Sequence, residues 1–143
     1  MIKHPIGIFI SGRGSNLKSI VDACKEQEYP AEIKVVFSNN KNAPGLSFAK
    51  ENNLEAITLD YHNFKNTEEY EEKIISLLKP YGLELICLAG YMKILSKKLI
   101  DHYPNKIINI HPSLLPKYKG LNTHQRVLEN NETKTGCTVH YVN

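Results

Sequence analysis

Asn109 and His111 stand two residues apart in the stretch Asn109-Ile110-His111-Pro112-Ser113-Leu114-Leu115-Pro116. In an extended segment such positions share a side, with Cα atoms roughly 6–7 Å apart at about 3.3 Å rise per residue. The Asn109 carboxamide is a neutral donor that can stabilise a developing oxyanion. The His111 imidazole can move a proton near neutral pH. Ile108 and Ile110 would then point the other way, into a core. The preceding Ile107-Ile108 reads as a short buried strand, and Pro112 ends it because proline cannot donate to a sheet ladder. In open α/β sheets, ligands bind at strand ends of this kind. On these two residues alone, a polar strand end followed by a proline-stiffened loop is an equally good reading.

A second chemical stretch lies near the start of the chain. Ser11-Gly12-Arg13-Gly14-Ser15-Asn16-Leu17 follows the apolar run Ile6–Ile10 and leads into Leu17, Ile20, Val21 and Cys24 at helical spacing. A strand thus meets a helix through a turn with two glycines, which lets backbone turn tightly and approach a ligand. The N–H groups at the helix start can hold an anion, a phosphate or a carboxylate. The turn is no P-loop, since no Gly-Lys-Ser/Thr follows. Nor is it the dinucleotide fingerprint, since Leu17 stands where the third glycine belongs. A third stretch, Ala89-Gly90-Tyr91-Met92-Lys93-Ile94-Leu95, leaves another strand through Gly90.

The elements that must position these residues follow from the apolar pattern. Strands are expected at Ile6–Ile10, Ile33–Phe37, Ala56–Leu59, Leu83–Leu88, around Asn109 and over Thr135–Val142. Helices are expected after Asn16, from Pro44 to about Asn52, from Thr67 to Lys79 with Pro80 ending it, from Ser96 to about His102, and from Thr123 to about Asn130. Tyr70, Ile74, Leu77 and Leu78 form one helix face. Thr67 with Tyr70 makes no capping box. This alternation predicts an α/β fold: a doubly wound, mostly parallel open sheet with helices on both faces.

The chain has 143 residues, which predicts a single domain, 1–143, with a sizeable core. Its net charge of +3 comes from dispersed lysines, so a clustered basic face for nucleic acid is not expected. No apolar run reaches the roughly 20 residues of a membrane helix, and Met1-Ile2-Lys3-His4-Pro5 lacks the long apolar stretch of a signal peptide. Cys24, Cys87 and Cys137 are distant from one another and read as buried free thiols in a reducing cytoplasm. His4, His62 and His102 read as surface or loop residues, and a structural role is favoured for His124. His140, on the last strand, either faces the site or satisfies a local hydrogen bond. The spacing of His111, His124 and His140 does not suit zinc, and no metal is expected.

Taken together, Ile10–Leu17, Leu88–Leu95 and Asn109–Tyr118 strongly resemble the phosphoribosylglycinamide formyltransferases, the folate-dependent family of purine synthesis. Gly136–Val142 matches a fourth family segment, with Thr123-His124-Gln125 in a matching place between. The resemblance covers the whole chain and implies the formyltransferase, Rossmann-like fold. It implies transfer of a formyl group from 10-formyltetrahydrofolate, as cosubstrate, to the amine of glycinamide ribonucleotide. By the same resemblance, Asn109 and His111 are catalytic, and the Gly14, Ser15 and Asn16 backbone holds the substrate phosphate. Met92, Lys93, Ile94 and Leu95 line the pterin slot, with Asn109 also on the folate. Thr67 stands where relatives often carry a basic residue near the folate, with Lys65 close by.

The chain corresponds to roughly the first two-thirds or more of a typical family member. It lacks the later loop whose aspartate pairs with the catalytic histidine, and no aspartate here matches that position. The expectation is therefore a C-terminally truncated N-terminal formyltransferase domain of poor or no activity, with an open sheet edge that favours self-association. Alternatives are a non-catalytic phosphate-binding fragment, a formyltetrahydrofolate hydrolase or a methionyl-tRNA formyltransferase. The Ser11–Asn16 turn and His-Pro-Ser-Leu-Leu-Pro favour the ribonucleotide enzyme. The absence of an N-terminal regulatory domain disfavours the hydrolase, and the dispersed charge disfavours tRNA.

Overall fold

The computed structural model describes residues 2–111 and 138–142, excepting the side chains of residues 110, 111, 138 and 139. Its frame is a six-stranded sheet in the order β3-β2-β1-β4-β5-β6. The strands are β1 (His4–Ile10), β2 (Ala31–Ser38), β3 (Ala56–Thr58), β4 (Leu85–Leu88), β5 (Ile107–His111) and β6 (Thr138–Tyr141). All neighbours pair in parallel except β5 and β6, which are antiparallel. Parallel pairs need crossovers, and four helices are described: α1 (Ser15–Cys24), α2 (Pro44–Glu51), α3 (Thr67–Leu78) and α4 (Lys97–His102). This is the doubly wound, mostly parallel arrangement that the apolar pattern predicts. The helix expected over 123–130 and Cys137 lie outside the described residues.

β1 is the central strand, and its alternation builds two cores. Ile6, Ile8 and Ile10 point to one face, where Leu17 and Val21 of α1 and Leu46 and Ala49 of α2 cover them. Phe9 points to the other face, among Phe37, Tyr70, Ile74 and Leu78 of α3, and Leu99 of α4. Burial on both sides explains why β1 reads as a nearly continuous apolar run. Each such side chain contributes roughly 1.5–3 kcal/mol on leaving water.

Local boundaries differ from the sequence expectations where tertiary contacts decide them. β3 ends at Thr58 and β4 begins at Leu85, so both are shorter than their apolar runs. The cap of α3 is Asn66, one residue before Thr67: its side chain accepts from Glu69 N at 2.8 Å. Glu69 reaches back to accept from Lys65 N at 3.1 Å, a shifted form of the reciprocal capping box. Nor does Pro80 stop the helical path. Lys79–Tyr81 add a 3-10 turn that holds Pro80 in its first turn, and Gly82 ends it at φ 58°. α3 also buries Glu71, 2% exposed, on a face expected to be apolar.

Candidate functional site

The strand order changes direction at β1: its successor β2 lies on one side and β4 on the other. At such a switch point the loops leaving the two strands part and open a crevice beyond their carboxyl ends. Here that crevice is about 280 Å³ and is lined by Ser11–Asn16 after β1 and by Ala89, Gly90 and Met92 after β4. Two of the three stretches singled out in the sequence therefore meet. The third adjoins them, because β5 pairs with β4 and sets Asn109 beside Leu88.

The turn after β1 has the geometry of an anion cradle. Gly14 is the N-cap of α1 at φ 71°, ψ 45°, a left-handed conformation suited to glycine, and no side chain caps the helix. The first N–H groups of a helix have no partner within it, and they carry the positive end of the helix dipole. Exposed Arg13 lines the crevice beside them and adds a formal positive charge. The cradle is tightly backed by α2, since Gly45 N donates to Gly12 O at 3.1 Å. A Cβ on Gly45 would lie 2.4 Å from Ile10 Cδ1 and 3.1 Å from Gly12 O. Ile10 is fully buried, so it has little room to yield. Gly45→Ala is thus expected to cost about 1–3 kcal/mol, measured by urea unfolding; an unchanged midpoint would refute this close approach.

The loop after β4 offers a different surface. Gly90 sits at φ 78°, which re-aims the chain out of the strand. Met92, which lines the crevice, and Ile94, two residues further on, are 62% and 88% exposed, so this loop holds two large apolar side chains in water. That surface fits a flat, partly apolar heterocycle. Lys93 turns away from it: its Nζ lies 3.4 Å from the centroid of the Tyr61 ring and 5.6 Å from that of Tyr70. Leu95 and Tyr91 pack inward against the second core. Burial raises the Tyr91 hydroxyl pKa above its ordinary value, reinforced by Tyr70 and Glu71, and so keeps that phenol neutral. Burial, and secondarily the charge of Asp60, pushes Tyr70 up to about 12. Its hydroxyl donates to Leu59 O at 2.7 Å.

Glu71 anchors the far end of this loop. One carboxylate oxygen accepts from Ser96 N at 2.8 Å, and the other from Ser96 Oγ at 2.5 Å and Leu99 N at 3.0 Å. The hydroxyl of Ser96, the N-cap residue of α4, therefore donates to a buried carboxylate, and that carboxylate serves the helix start in its place. Ser11 ties the near end: Met92 N donates to Ser11 Oγ at 2.8 Å, and Ser11 Oγ donates to Asn39 Oδ1 at 2.6 Å. The sequence marks Ser11 as the start of a turn but announces neither its side-chain partners nor those of Glu71. A glutamate on an otherwise mixed helix reads as solvated, and the partners of Ser11 lie 28 and 81 residues away.

Asn109 is half-buried on β5, and His111 lies on the same strand. Asn109 sits opposite His140 in the antiparallel register, which sets these two on one face of the sheet. His140 is exposed, with Nδ1 3.2 Å from Tyr141 O. Residues 112–116 and His124 lie outside the described residues. Among the described residues no three His, Cys, Asp or Glu side chains are grouped to hold a metal ion, and no helix is long and apolar enough to cross a membrane.

A family model described as formyl transferase matches residues 5–143. The chain is 46% identical over 138 residues to phosphoribosylglycinamide formyltransferase of Haemophilus influenzae, covering 96% of this chain and 65% of that protein. It is 42% identical over 137 residues to the protein of the same name in Escherichia coli, again covering 96% and 65%. The chain thus spans about two-thirds of the length of these curated relatives. Among solved structures, glycinamide ribonucleotide transformylase 1 from Symbiobacterium toebii superposes with a TM-score of 0.91 at 38% identity, covering 99% of this chain and 66% of that one.

Proposed function

The chain belongs to the formyl transferase family, and on that premise we propose that it is a phosphoribosylglycinamide formyltransferase domain acting in purine synthesis. Its reaction is transfer of a formyl group from 10-formyltetrahydrofolate to the amine of glycinamide ribonucleotide. One observation carries the reading. A helix start without a side-chain cap and the exposed apolar side chain of Met92 line one crevice, and the Asn109 strand pairs with the strand whose loop carries Met92. A phosphate and a flat heterocycle are the two ligand features that such surfaces suit.

In this reading the Gly14, Ser15 and Asn16 backbone holds the ribonucleotide phosphate, with Arg13 adding attraction. Met92, Ile94 and the main chain around Lys93 and Leu95 line the pterin slot. The substrate amine attacks the formyl carbon, a C–N bond forms, and the carbonyl electron pair moves to oxygen. The Asn109 carboxamide donates to that oxyanion. His111 helps hold it, takes the proton from the attacking nitrogen and returns it to the departing folate nitrogen. The carbonyl re-forms as the bond to folate breaks. No enzyme nucleophile is required, because the amine is the nucleophile. Cys24 and Cys87 are free thiols, in keeping with a reducing cytoplasm.

The test is formyl transfer measured with 10-formyltetrahydrofolate and glycinamide ribonucleotide, on this chain and on any longer natural product of its reading frame. Transfer by either supports the assignment. Transfer by the 143-residue chain would also overturn the expectation that catalysis needs a later aspartate-bearing loop. Absence of transfer in both, or turnover of the folate to free formate instead, would sink the proposal.

A further inference from the structure

Ser11 stands between the two halves of the crevice and uses each of its polar groups to join them. Its hydroxyl proton goes to Asn39 Oδ1 at 2.6 Å, and a lone pair of the same oxygen takes the Met92 N–H at 2.8 Å. Its own N–H donates to Gly90 O at 3.1 Å. Its carbonyl accepts from Asn40 Nδ2 at 3.3 Å. The residue that opens the anion cradle is therefore bonded to the loops leaving β2 and β4. Donation to Asn39 fixes the direction of the hydroxyl dipole and strengthens its acceptance from Met92.

We propose that Ser11 is a positioning residue that couples the two ligand half-sites, so that ordering the phosphate turn also orders the Met92 loop, and the reverse. This rests on the substrate reading above. The coupling arises because each ligand immobilises backbone that the other also needs immobilised. A pair of neutral hydrogen bonds through one hydroxyl supports a mutual tightening of about 3- to 10-fold. Linkage requires that factor to be the same in both directions. No contact between Ser11 and either ligand is needed.

The experiment is calorimetric binding of glycinamide ribonucleotide with and without saturating tetrahydrofolate, and of tetrahydrofolate with and without the ribonucleotide. Tetrahydrofolate carries no formyl group, so nothing turns over. In the unaltered protein each ligand should tighten the other by the same factor. Ser11→Ala should bring that factor close to 1. Asn39→Ala, which leaves Ser11 in place but removes its acceptor, should lower the factor in the same direction and serves if the first variant does not fold. A residue with only a structural role would weaken both ligands and lower the melting temperature, yet leave the ratio unchanged. Independent binding in the unaltered protein, or a ratio unchanged in a folded variant, overturns the coupling alone. Failure of the unaltered protein to bind the ribonucleotide or the folate overturns the substrate reading, and the coupling falls with it.

Discussion

Asn109→Ala is expected to lower kcat for formyl transfer by about 10²–10³-fold, with much smaller changes in either KM, in any form of the protein that turns over. The reasoning is geometric. Asn109 is half-buried in the middle of β5, with its backbone paired to Leu88 on one side and His140 on the other. Those ladder bonds belong to the main chain, so truncating the side chain leaves the strand in place. The amide donor is wanted only when charge builds on the formyl oxygen, so its loss falls on the transition state more than on substrate binding. Steady-state kinetics with both substrates varied would measure it. A thermal melt displaced by no more than a few degrees would show that the fold survives. Retained kcat would move oxyanion stabilisation to another group. His111→Ala is expected to be comparably damaging.

Glu71→Ala is expected to be strongly destabilising, on the scale of truncating a buried aromatic side chain. The carboxylate is 2% exposed and accepts three hydrogen bonds from Ser96 and Leu99. Removing it leaves two backbone N–H groups and a hydroxyl without their partner at the start of α4. Each donor left unsatisfied costs about 1–3 kcal/mol where it stays buried, and the vacated volume adds a cavity term. Partial access of water to Ser96 moderates the sum, which we put at about 3–5 kcal/mol. Urea unfolding would measure it. Glu71→Gln should cost distinctly less, since its carbonyl can still accept while its amide must face a donor. Equal stability of the alanine variant would mean that α4 is held by its apolar contact through Leu99 alone.

The sheet was legible in the chain because parallel strands buried on both faces leave runs such as Ile6–Ile10 and Leu85–Leu88 that little else explains. The turn after β1 was legible too, since Gly12 and Gly14 stand between an apolar strand and an amphipathic helix. What escaped was chemistry acting across the sequence. Asn66 was overlooked as a cap because Thr67 beside it is an equally good capping type, and only backbone geometry separates them. Nothing local to Glu71 announces that the α4 start will arrive over it. Ser11 looked like the first residue of a turn, while its partners Asn39 and Met92 lie on other crossovers. Lys93 is expected at the pterin slot by resemblance; the placing of its ammonium over the Tyr61 and Tyr70 rings comes from other elements and is not announced locally.

The central place of β1 also bears on the order in which the molecule comes into being. Ser11 and Met92 are 81 residues apart in the chain. At synthesis rates of about 5–20 residues per second, the first waits roughly 4–16 seconds for the second to be made. Throughout that interval β1 has β2 as its only available neighbour, and its other edge offers unpaired backbone to any strand that passes. Such long-range parallel pairing is slow to close and exposed to aggregation while it waits. The turn that begins the crevice is thus among the earliest parts made, yet it lacks its Gly90 and Met92 partners until β4 docks. The yield of working protein is therefore expected to respond to chaperone protection during those seconds.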